Sequence, residues 1–328
     1  MARSKAGIVA RQIYQNWRLR KRFKSGDHQA TSNLGYSGKL QEEVAYIQAV
    51  LTDYLTYAGL SAEALRGKRI LEIGPGYNLG LALRLLSLGA AQVVSIDKFY
   101  SLLDGEKQLE IYRTLREELT DQEKDLFDQV ISLEKHFTIH SDRLKYLHGQ
   151  GIDEMAPVFD PHSFDLIISR AVLEEISDLD AVFSTMDHLL VSGGLMIHKI
   201  DLRDYYMFSG YGMDPLTFLT IPERIYTWMT KDTIKPKRRL MNYYRDKMED
   251  LGYEAKIFIT HIVGKEKELI PHKETIEIGT DYSQATLDLL DQIRPKLANP
   301  FKNLSNDILM VAGIFLLAKK LDQKKGPK

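Results

Sequence analysis

The chain has 328 residues, of which 44% are hydrophobic and 27% charged, and its formal net charge is −1. These values are ordinary for a globular protein and exclude a strong overall attraction to nucleic acid. The sequence contains no cysteine, which excludes disulfides, thiolate nucleophiles and cysteine-ligated zinc. Because it also lacks the pattern of a signal peptide, we predict a cytoplasmic location.

The first 24 residues are strongly basic, with eight lysines or arginines and no acid. Apolar residues interleave with these cations, a pattern typical of a basic amphipathic helix that touches a membrane surface or an acidic partner. The alternative is a helix that packs on the body of the protein. A second helix is predicted from Leu40 to Leu60, with Gly59 marking its end. We expect it to cap a ligand site, because it leads directly into the first strand.

The most informative pattern is a buried strand that ends in two glycines. Residues 70–76 are Ile-Leu-Glu-Ile-Gly-Pro-Gly, and the strand is predicted from Lys68 to Ile73. Asp97 follows Gly76 by 21 residues, at the end of the next predicted strand. Such a turn lets a ligand lie against bare backbone, and the later acid can accept hydrogen bonds from two ribose hydroxyls. The pattern therefore predicts an adenosyl cofactor.

Two features of this turn distinguish between adenosyl cofactors. In the dinucleotide fingerprint G-x-G-x-x-G the third glycine would fall at Leu79, and the nearest glycine, Gly80, is one place late. A dinucleotide also brings an anionic pyrophosphate, which the carboxylate of Glu72 would repel. S-Adenosylmethionine carries a sulfonium and an ammonium, which a carboxylate complements. The turn therefore favours S-adenosylmethionine, with an NAD-dependent enzyme as the alternative.

These residues resemble a known family. Residues 72–76, Glu-Ile-Gly-Pro-Gly, resemble the E/D-x-G-x-G signature of class I S-adenosylmethionine-dependent methyltransferases, and residues 93–97 resemble their second strand with its ribose acid. The resemblance implies an α/β fold with a doubly wound, Rossmann-like sheet of seven strands, the last of them antiparallel. It also implies methyl transfer as the activity. The cofactor-binding residues that it implies in this part of the chain are Glu72, Gly74, Pro75, Gly76, Asp97 and Lys98.

A long segment separates Asp97 from a third strand that is predicted near residues 145–148. Helical spacing of apolar residues as far as Leu133 predicts a helical insertion over about residues 100–144. After the third strand, the resemblance implies an acid that faces the adenine amino group. The pair Ile152 and Asp153 is the best match for that position, and Asp142 is the competitor. The alternative for either acid is a surface or capping residue.

The fourth strand is predicted at residues 163–169 and continues into Arg-Ala-Val-Leu-Glu-Glu. This stretch resembles F-D-x-x-x-S-x-x-x-L-E-H of the same family, with Glu175 in place of the histidine, so a histidine base at that position is unsupported. The alternative for the glutamates is the first turn of a helix, where acids are favoured anyway. The resemblance implies that the residues lining the cofactor are Ser169, Arg170 and Ala171, and that the candidates for acceptor contact are Glu174 and Glu175.

Polar residues cluster at the carboxyl end of the fifth strand, which is predicted over residues 195–200. His198 and Asp201 are candidates for a base that removes a proton from a hydroxyl or an amine, and Arg203 and Asp204 are candidates for orienting the acceptor. The alternative for His198 is a packed core histidine. The run H-x-I-D-L-R-D resembles a group of bacterial methyltransferases associated with glycans or small metabolites, in which a histidine commonly stands where this chain has Tyr205.

Residues 211–237 combine aromatic side chains with a basic run that continues to Arg239, inside a substrate-side insertion predicted over about residues 203–240. Trp228 is the aromatic candidate for contact with the acceptor. Such a surface suits a ring-bearing, anionic acceptor, for example a phosphorylated or acidic sugar, and suits an RNA backbone almost as well. The alternative is a packed aromatic hairpin with a solvated charge run.

Two terminal strands, predicted at residues 255–263 and 308–318, complete the sheet. The second is an apolar run of 11 residues, too short to span a bilayer. The predicted organisation is a basic segment and helical cap over residues 1–64, a methyltransferase domain over 65–320 and a basic tail over 321–328.

The sequence thus predicts an enzyme that moves a methyl group from S-adenosylmethionine to oxygen, or to nitrogen, of a small molecule or glycan. The alternatives are a non-catalytic S-adenosylmethionine-binding partner protein and an RNA methyltransferase, with nucleic acid the less favoured partner. No metal site is predicted, since His136 and His140 have helical ligand spacing but no matching further ligands. Magnesium held by carboxylates stays open.

Overall fold

The computed structural model describes residues 4–25, 38–102 and 104–322. The α-helices are α1 (Lys5–Lys24), α2 (Leu40–Ala58), α3 (Gly80–Ser87), α4 (Gly105–Glu117), α5 (Asp121–Asp128), α6 (Leu179–Leu189), α7 (Glu223–Thr230), α8 (Met241–Asp250), α9 (Gln284–Ile293) and α10 (Asn306–Leu309). The strands are β1 (Arg69–Ile73), β2 (Gln92–Asp97), β3 (Ile131–Leu133), β4 (Phe137–Ile139), β5 (Leu144–His148), β6 (Phe164–Arg170), β7 (Leu190–Asp201), β8 (Tyr253–Ile262) and β9 (Val311–Lys320).

Seven of these strands form one sheet in the order β5-β2-β1-β6-β7-β9-β8. Strand β1 pairs in parallel with β2 and β6, and β2 pairs in parallel with β5. The last strands are antiparallel, and β9 enters the sheet between β7 and β8. This arrangement confirms the predicted doubly wound, Rossmann-like sheet with an antiparallel end.

The register of the parallel strands brings their carboxyl ends to one edge. Ile73 is aligned with Ile96 of β2 and with Ser169 of β6. Asp97 is aligned with His148 at the end of β5. Ligands of open α/β sheets bind outside the carboxyl ends of the strands, so this edge is where a cofactor site is expected.

Helix α2 covers the first turn of the sheet. Its buried apolar face packs against α3 and α4, and Gly59 ends the helix with a φ of 63° and an N–H that bonds the carbonyls of Leu55 and Thr56. A Cβ on Gly80, at the start of α3, would clash with Ile47 of α2 and with Asn78. Gly80 is therefore a packing residue and is unrelated to a dinucleotide fingerprint.

The insertion after β2 is not helical throughout. Helices α4 and α5 are followed by an antiparallel hairpin in which Ile131 pairs with Ile139 and Leu133 with Phe137. The prediction of helix as far as Leu133 is therefore wrong for residues 131–133, which form strand β3. A short apolar run fits helix and strand periods equally well, so pattern alone could not separate them.

Contacts divide the described chain into two units. We name one after Glu174 and the other after the turn at Gly74 and Gly76. The Glu174 unit comprises the described residues of Met1–Asp27, Arg170–Leu179 and His198–Ala318. The glycine-turn unit comprises those of His28–Ser169, Asp180–Ile197 and Lys319–Lys328. The domain boundaries predicted from the sequence stay a prediction.

Helix α1 belongs to the Glu174 unit and packs on α7. Its buried face carries Ile8, Gln12 and Asn16, spaced four residues apart. The side-chain oxygen of Asn16 accepts a hydrogen bond from the backbone N–H of Asp232 at 2.8 Å. The helix is therefore packed through one face, as the second of our two interpretations expected. Within the ranges described above, no helix is long and apolar enough to cross a membrane.

Candidate functional site

The glycine turn after β1 has an open backbone. Gly74 and Gly76 have φ angles of 69° and 77°, a region in which side chains are disfavoured, and Pro75 lies between them. The N–H of Gly74 donates to the carbonyl of Ile96 at 2.8 Å. A Cβ built on Gly76 would meet nothing within 4 Å, so this stretch of backbone borders open space. The turn fits the close approach of a cofactor.

Glu72 places a buried carboxyl beneath the turn. Its Oε2 accepts a hydrogen bond from Ser95 Oγ of β2 at 2.5 Å. Burial raises the pKa of Glu72 to about 7, the hydrogen bond from Ser95 opposes that rise, and the nearby charge of Asp97 adds to it. A bound cation would stabilise the charged form of this carboxyl. The group therefore fits the positively charged end of S-adenosylmethionine.

Asp97 ends β2 with an oriented carboxylate. Its Oδ1 accepts from the backbone N–H of Phe99 at 2.9 Å, and its Oδ2 accepts from Ser101 Oγ at 3.2 Å. Burial raises its pKa, and these two hydrogen bonds oppose the rise. A carboxylate has about four acceptor positions, so two contacts leave room for two ribose hydroxyls. Ser101 is a supporting residue that the sequence analysis missed.

The structure separates the two candidates for the adenine contact. Asp153 lies in a short 3₁₀ turn after β5, next to the buried Ile152, and its carboxylate folds over Gly151. A Cβ on Gly151 would also lie 4.0 Å from Cδ of Lys98. Asp142 precedes β5, at the opposite end of the strand. The geometry therefore favours Asp153.

Aromatic side chains add to this edge of the glycine-turn unit. The ring of His148 lies 5.1 Å from that of Tyr100 and 5.4 Å from that of Tyr146, measured between centroids. Tyr77 in the turn donates a hydrogen bond to the buried Glu43 of α2. The sequence analysis missed all of these residues. The signal that could have found them is an aromatic residue three places after the ribose acid.

In the Glu174 unit, one carboxylate oxygen of Glu174 accepts hydrogen bonds and the other has no hydrogen-bond partner among the described residues. It lies in a short 3₁₀ turn after β6 and is 3% exposed. Its Oε1 accepts from the backbone N–H of Asp201 at 3.1 Å and from the hydroxyl of Tyr205 at 2.7 Å. Its Oε2 is buried and has no hydrogen-bond partner within residues 4–25, 38–102 and 104–322. Such an acceptor carries a desolvation cost that a bound donor would relieve.

The charge of this pair of glutamates is disfavoured. Burial raises the pKa of Glu174 to about 8, and the charge of Asp201 contributes to the rise. Burial and the neighbouring Glu174 also raise the pKa of Glu175 well above its usual value, although the Tyr205 hydroxyl, Lys237 and Lys235 act in the other direction. Burial and mutual repulsion therefore favour the protonated forms of the two residues predicted to contact the acceptor.

Tyr205 reaches Glu174 from a strained loop. Tyr205 and Tyr206 have φ angles of 51° and 56°, which cost about 1–2 kcal/mol for each residue. The buried Asp204 holds this conformation, since its carboxylate accepts from the backbone N–H groups of Tyr206, Phe208 and Ser209. Asp204 was predicted to orient the acceptor, but its oxygens are engaged by the loop, so the structure assigns it a supporting role.

The geometry argues against the two predicted bases. His198 is fully buried in β7, and burial lowers its pKa to about 3, so it is neutral and a weak base. Both carboxylate oxygens of Asp201 accept from Arg203, at 2.9 and 3.1 Å from Nε and at 2.6 Å from Nη2. Its hydrogen-bonding capacity is therefore largely taken up by Arg203. The assignment of a base to these residues stays a prediction, and Glu174 is the better-placed group.

The remaining predicted site residues lie at the end of β6 and on α7. Ser169 is buried at the end of β6, followed by the half-buried Arg170 and by Ala171, whose φ is 55° and whose N–H donates to the carbonyl of Lys199 at 2.9 Å. Trp228 lies on the exposed side of α7, with 59% of its surface accessible. Their contacts with cofactor and acceptor stay predictions.

Two cations of the basic run, Lys237 and Arg238, make contacts within the protein, whereas Lys231 and Arg239 are exposed. The guanidinium of Arg238 is buried, lies 3.7 Å from the ring centroid of Tyr226 and donates to the carbonyls of Phe218 and Ile221. Nζ of Lys237 donates to the carbonyl of Thr233 at 2.9 Å. The segment forms α7 and short turns and not a hairpin, but its residues Phe218 and Tyr226 are buried, so this part is packed as the alternative expected. In the described part of the chain, no three His, Asp or Glu side chains are placed to hold a metal ion.

Comparisons with known proteins complete this description. A family model described as a methyltransferase domain matches residues 44–256. Comparison with curated protein sequences finds no match. Among solved structures, an S-adenosylmethionine-dependent methyltransferase from Mesorhizobium loti is 17% identical with a TM-score of 0.38, covering 79% of this chain and 98% of that one. One from Archaeoglobus fulgidus is 14% identical with a TM-score of 0.40, covering 84% and 94%.

A further structure is phosphoethanolamine N-methyltransferase 2 of Haemonchus contortus in complex with S-adenosyl-L-methionine. It is 15% identical with a TM-score of 0.42, and the match covers 84% of this chain but only 53% of that one. This chain therefore spans about half the length of that protein. At such identities and TM-scores, the three likenesses carry no argument about substrate.

Proposed function

Because this chain belongs to the methyltransferase domain family, with S-adenosylmethionine as its cofactor, we propose that it methylates oxygen or nitrogen of a small molecule or glycan. The observation that carries the proposal is the buried Oε2 of Glu174, which has no hydrogen-bond partner in the described residues. A hydroxyl or an amine of an acceptor would supply the missing donor.

The glycine-turn unit supplies the residues that would hold the cofactor. Gly74 and Gly76 allow its close approach, Glu72 complements its positive charges, Asp97 accepts from the ribose hydroxyls, and Asp153 faces the adenine. When bound, S-adenosylmethionine supplies a methyl group on an electrophilic sulfonium. The task left to the protein is alignment of the acceptor and removal of its proton.

Glu174 suits that task. Its Oε1 is fixed by two hydrogen bonds, so the carboxyl is oriented and Oε2 is the oxygen available to an acceptor. A pKa of about 8 is close to the pH at which a general base works best. The class I resemblance implies that the carboxyl end of β6 borders the transferred methyl, and Glu174 follows that strand by four residues.

A small polar acceptor fits this cluster better than RNA does. Recognition of RNA needs cations that reach phosphates. In the predicted basic run, Lys237 and Arg238 donate instead to backbone carbonyls of their own unit. When ionised, the carboxyls of Glu174 and Glu175 accept from hydroxyl or ammonium groups and repel a polyanion. RNA methylation is therefore the second candidate.

The proposal is tested by a transfer assay with S-adenosylmethionine that carries tritium in its methyl group. The purified chain is incubated with pools of sugars, glycans, hydroxylated metabolites and primary amines, and in parallel with total RNA. Label in a small-molecule or glycan product supports the proposal. Label in RNA alone would replace it with the RNA alternative, and cofactor binding without transfer to any pool would indicate a non-catalytic binding protein.

A further inference from the structure

Helix α1 has a second face that the packing on α7 leaves exposed. The buried residues Ile8, Gln12 and Asn16 form one side of the helix. Residues about half a turn away from them point outward, because successive residues of an α-helix are separated by roughly 100°. The residues of this outer face are Ala10, Tyr14, Trp17, Lys21 and Lys24, and all of them are exposed.

Two large aromatic side chains occupy the middle of the outer face. Tyr14 is 57% exposed and Trp17 55% exposed. Their rings stack with centroids 6.0 Å apart and an angle of 25° between the planes, and Nζ of Lys21 lies 5.8 Å from the centroid of the Trp17 ring. An exposed aromatic cluster of this kind marks an interaction surface.

The charge around this cluster has a single sign. Helix α1 contains lysines and arginines along its length, with three of them in its last turn, and no aspartate or glutamate. Arg11 and Arg18 lie beside the aromatic pair on one flank, and Arg20 lies on the other. The whole chain has a net charge of −1, so the rest of the protein is net acidic. A helix surface that carries only positive charge favours an anionic partner.

We propose that the outer face of α1 docks on a membrane surface that contains anionic phospholipid, with the helix parallel to the membrane and its aromatic pair at the level of the headgroups. Tyrosine and tryptophan are the side chains preferred at that level. Lysine and arginine beside them are attracted by anionic lipid. This surface is independent of the proposed methyl acceptor.

The packing of the rings favours a membrane over nucleic acid. Bases bind to aromatic side chains by stacking on open ring faces. Here Tyr14 and Trp17 stack on each other, and Lys21 lies over the ring of Trp17. Ring edges, with the phenol and indole polar groups, remain to face water and headgroups. The outer face lacks a run of aliphatic residues, so docking is shallow.

The first test uses the intrinsic fluorescence of Trp17. The chain contains two tryptophans, so Trp228→Phe leaves Trp17 as the sole reporter. We expect its emission to shift to shorter wavelength with vesicles of equal parts phosphatidylcholine and phosphatidylglycerol, and not with phosphatidylcholine alone. No shift with the anionic vesicles would overturn the proposal. A shift with single-stranded RNA but not with these vesicles would replace it with a nucleic-acid surface.

The second test measures sedimentation with the same anionic vesicles. Replacing both lysines of the outer face, as in Lys21→Gln with Lys24→Gln, should lower partitioning by about thirtyfold, since each cation near an anionic surface contributes about 1 kcal/mol. The matched control replaces two exposed lysines elsewhere, Lys256→Gln with Lys302→Gln, and should change partitioning by about twofold or less.

The aromatic pair has its own control. Tyr14→Ser with Trp17→Ser should lower partitioning by about tenfold or more, because apolar area is no longer buried at the interface. Tyr46→Ser removes a comparably exposed aromatic residue from α2 and should leave partitioning unchanged. Circular dichroism confirms that each variant folds. Equal losses in the α1 variants and in their controls would contradict docking through α1.

Discussion

The two functional regions of this protein are built in different ways. In the glycine-turn unit, the residues predicted to hold the cofactor come mainly from one continuous stretch, residues 72–101, which contains the end of β1, the glycine turn, α3 and β2. In the Glu174 unit, the acceptor cluster combines residues that are distant in sequence, among them Glu174, Tyr205 and Lys235. A local signature therefore identifies the first region, whereas in the second it identifies the two glutamates and only tertiary structure brings Tyr205 and Lys235 to them.

The buried carboxyls of the two regions also differ in what relieves their charge. Glu72 has a pKa of about 7, and the proposed cofactor brings fixed positive charge to it. Glu174 has a pKa of about 8 and one oxygen without a partner in the described residues. The first carboxyl is suited to binding a permanent cation and the second to exchanging a proton with a transient ligand. Three variants, one of them used in two experiments, test the roles of the two regions.

The largest effect is expected for Glu174→Gln in the transfer assay. Loss of a general base typically lowers kcat by about 10²- to 10⁴-fold. In the wild type the rate should rise with pH through about 8, because the ionised carboxylate is the active form, whereas the variant should lack this limb. Glu249→Gln, an exposed change of the same kind on α8, serves as the control. A variant that keeps the limb near pH 8 would exclude Glu174 as the base.

Asp97→Ala should weaken binding of S-adenosylmethionine by about a hundredfold or more, since it removes two charged hydrogen bonds to the ribose. Isothermal titration calorimetry measures the loss directly. Asp142→Ala removes the competing acid at the opposite end of β5 and should change the affinity by about twofold or less. Equal losses in the two variants would show that position in the sheet does not select the contact.

Stability should depend on pH through the same carboxyls. The folded-state pKa values of Glu72 and Glu174 lie above the ordinary value of 4.5, so the folded state holds protons that the unfolded state releases. The free energy of unfolding should therefore fall as pH rises from about 4.5 to about 8. In Glu174→Gln, the decrease in the free energy of unfolding over this pH range should be smaller by a few kcal/mol. Urea unfolding at a series of pH values measures it. An unchanged slope would mean that Glu174 ionises normally.

Tyr205→Phe should have the smallest effect. The change removes the hydrogen bond that lowers the pKa of Glu174, so the rising limb of the rate profile should move to higher pH. At neutral pH we expect the rate to fall by about tenfold, the equivalent of one lost hydrogen bond to a charged group. Tyr206→Phe is the matched control, because that residue has the same sign of φ but is 77% exposed. An identical profile in both variants would contradict a positioning role.

Much of the fold could be predicted from hydrophobic periodicity and from glycines at turns and helix ends. Buried apolar runs identified the parallel strands, and Gly59 ended a helix where it was expected to do so. The turn at Gly74 and Gly76 was recognisable because its conformation requires glycine, a requirement that is visible in the sequence. The cofactor half of the site therefore follows from local chemistry.

The acceptor half could not be predicted in the same way. The positive φ of Tyr205 occurs at a residue that ordinarily avoids it, and Asp204 enforces it through contacts up to five residues away. Nothing in the sequence distinguishes the exposed Arg239 from Arg238, which is buried on Tyr226. His198 was a plausible base by composition, and only its full burial in β7 argues against that role. These outcomes depend on tertiary packing, which local patterns do not encode.

The most direct test of the division between the two regions is calorimetric titration of S-adenosylmethionine into the wild type and Glu174→Gln. If the cofactor is held by the glycine-turn unit and Glu174 serves the acceptor, the two proteins should bind it with equal affinity, within about twofold, although transfer is lost in the variant. Failure of the wild type to bind, or a comparable loss of binding in Glu174→Gln, would contradict the account.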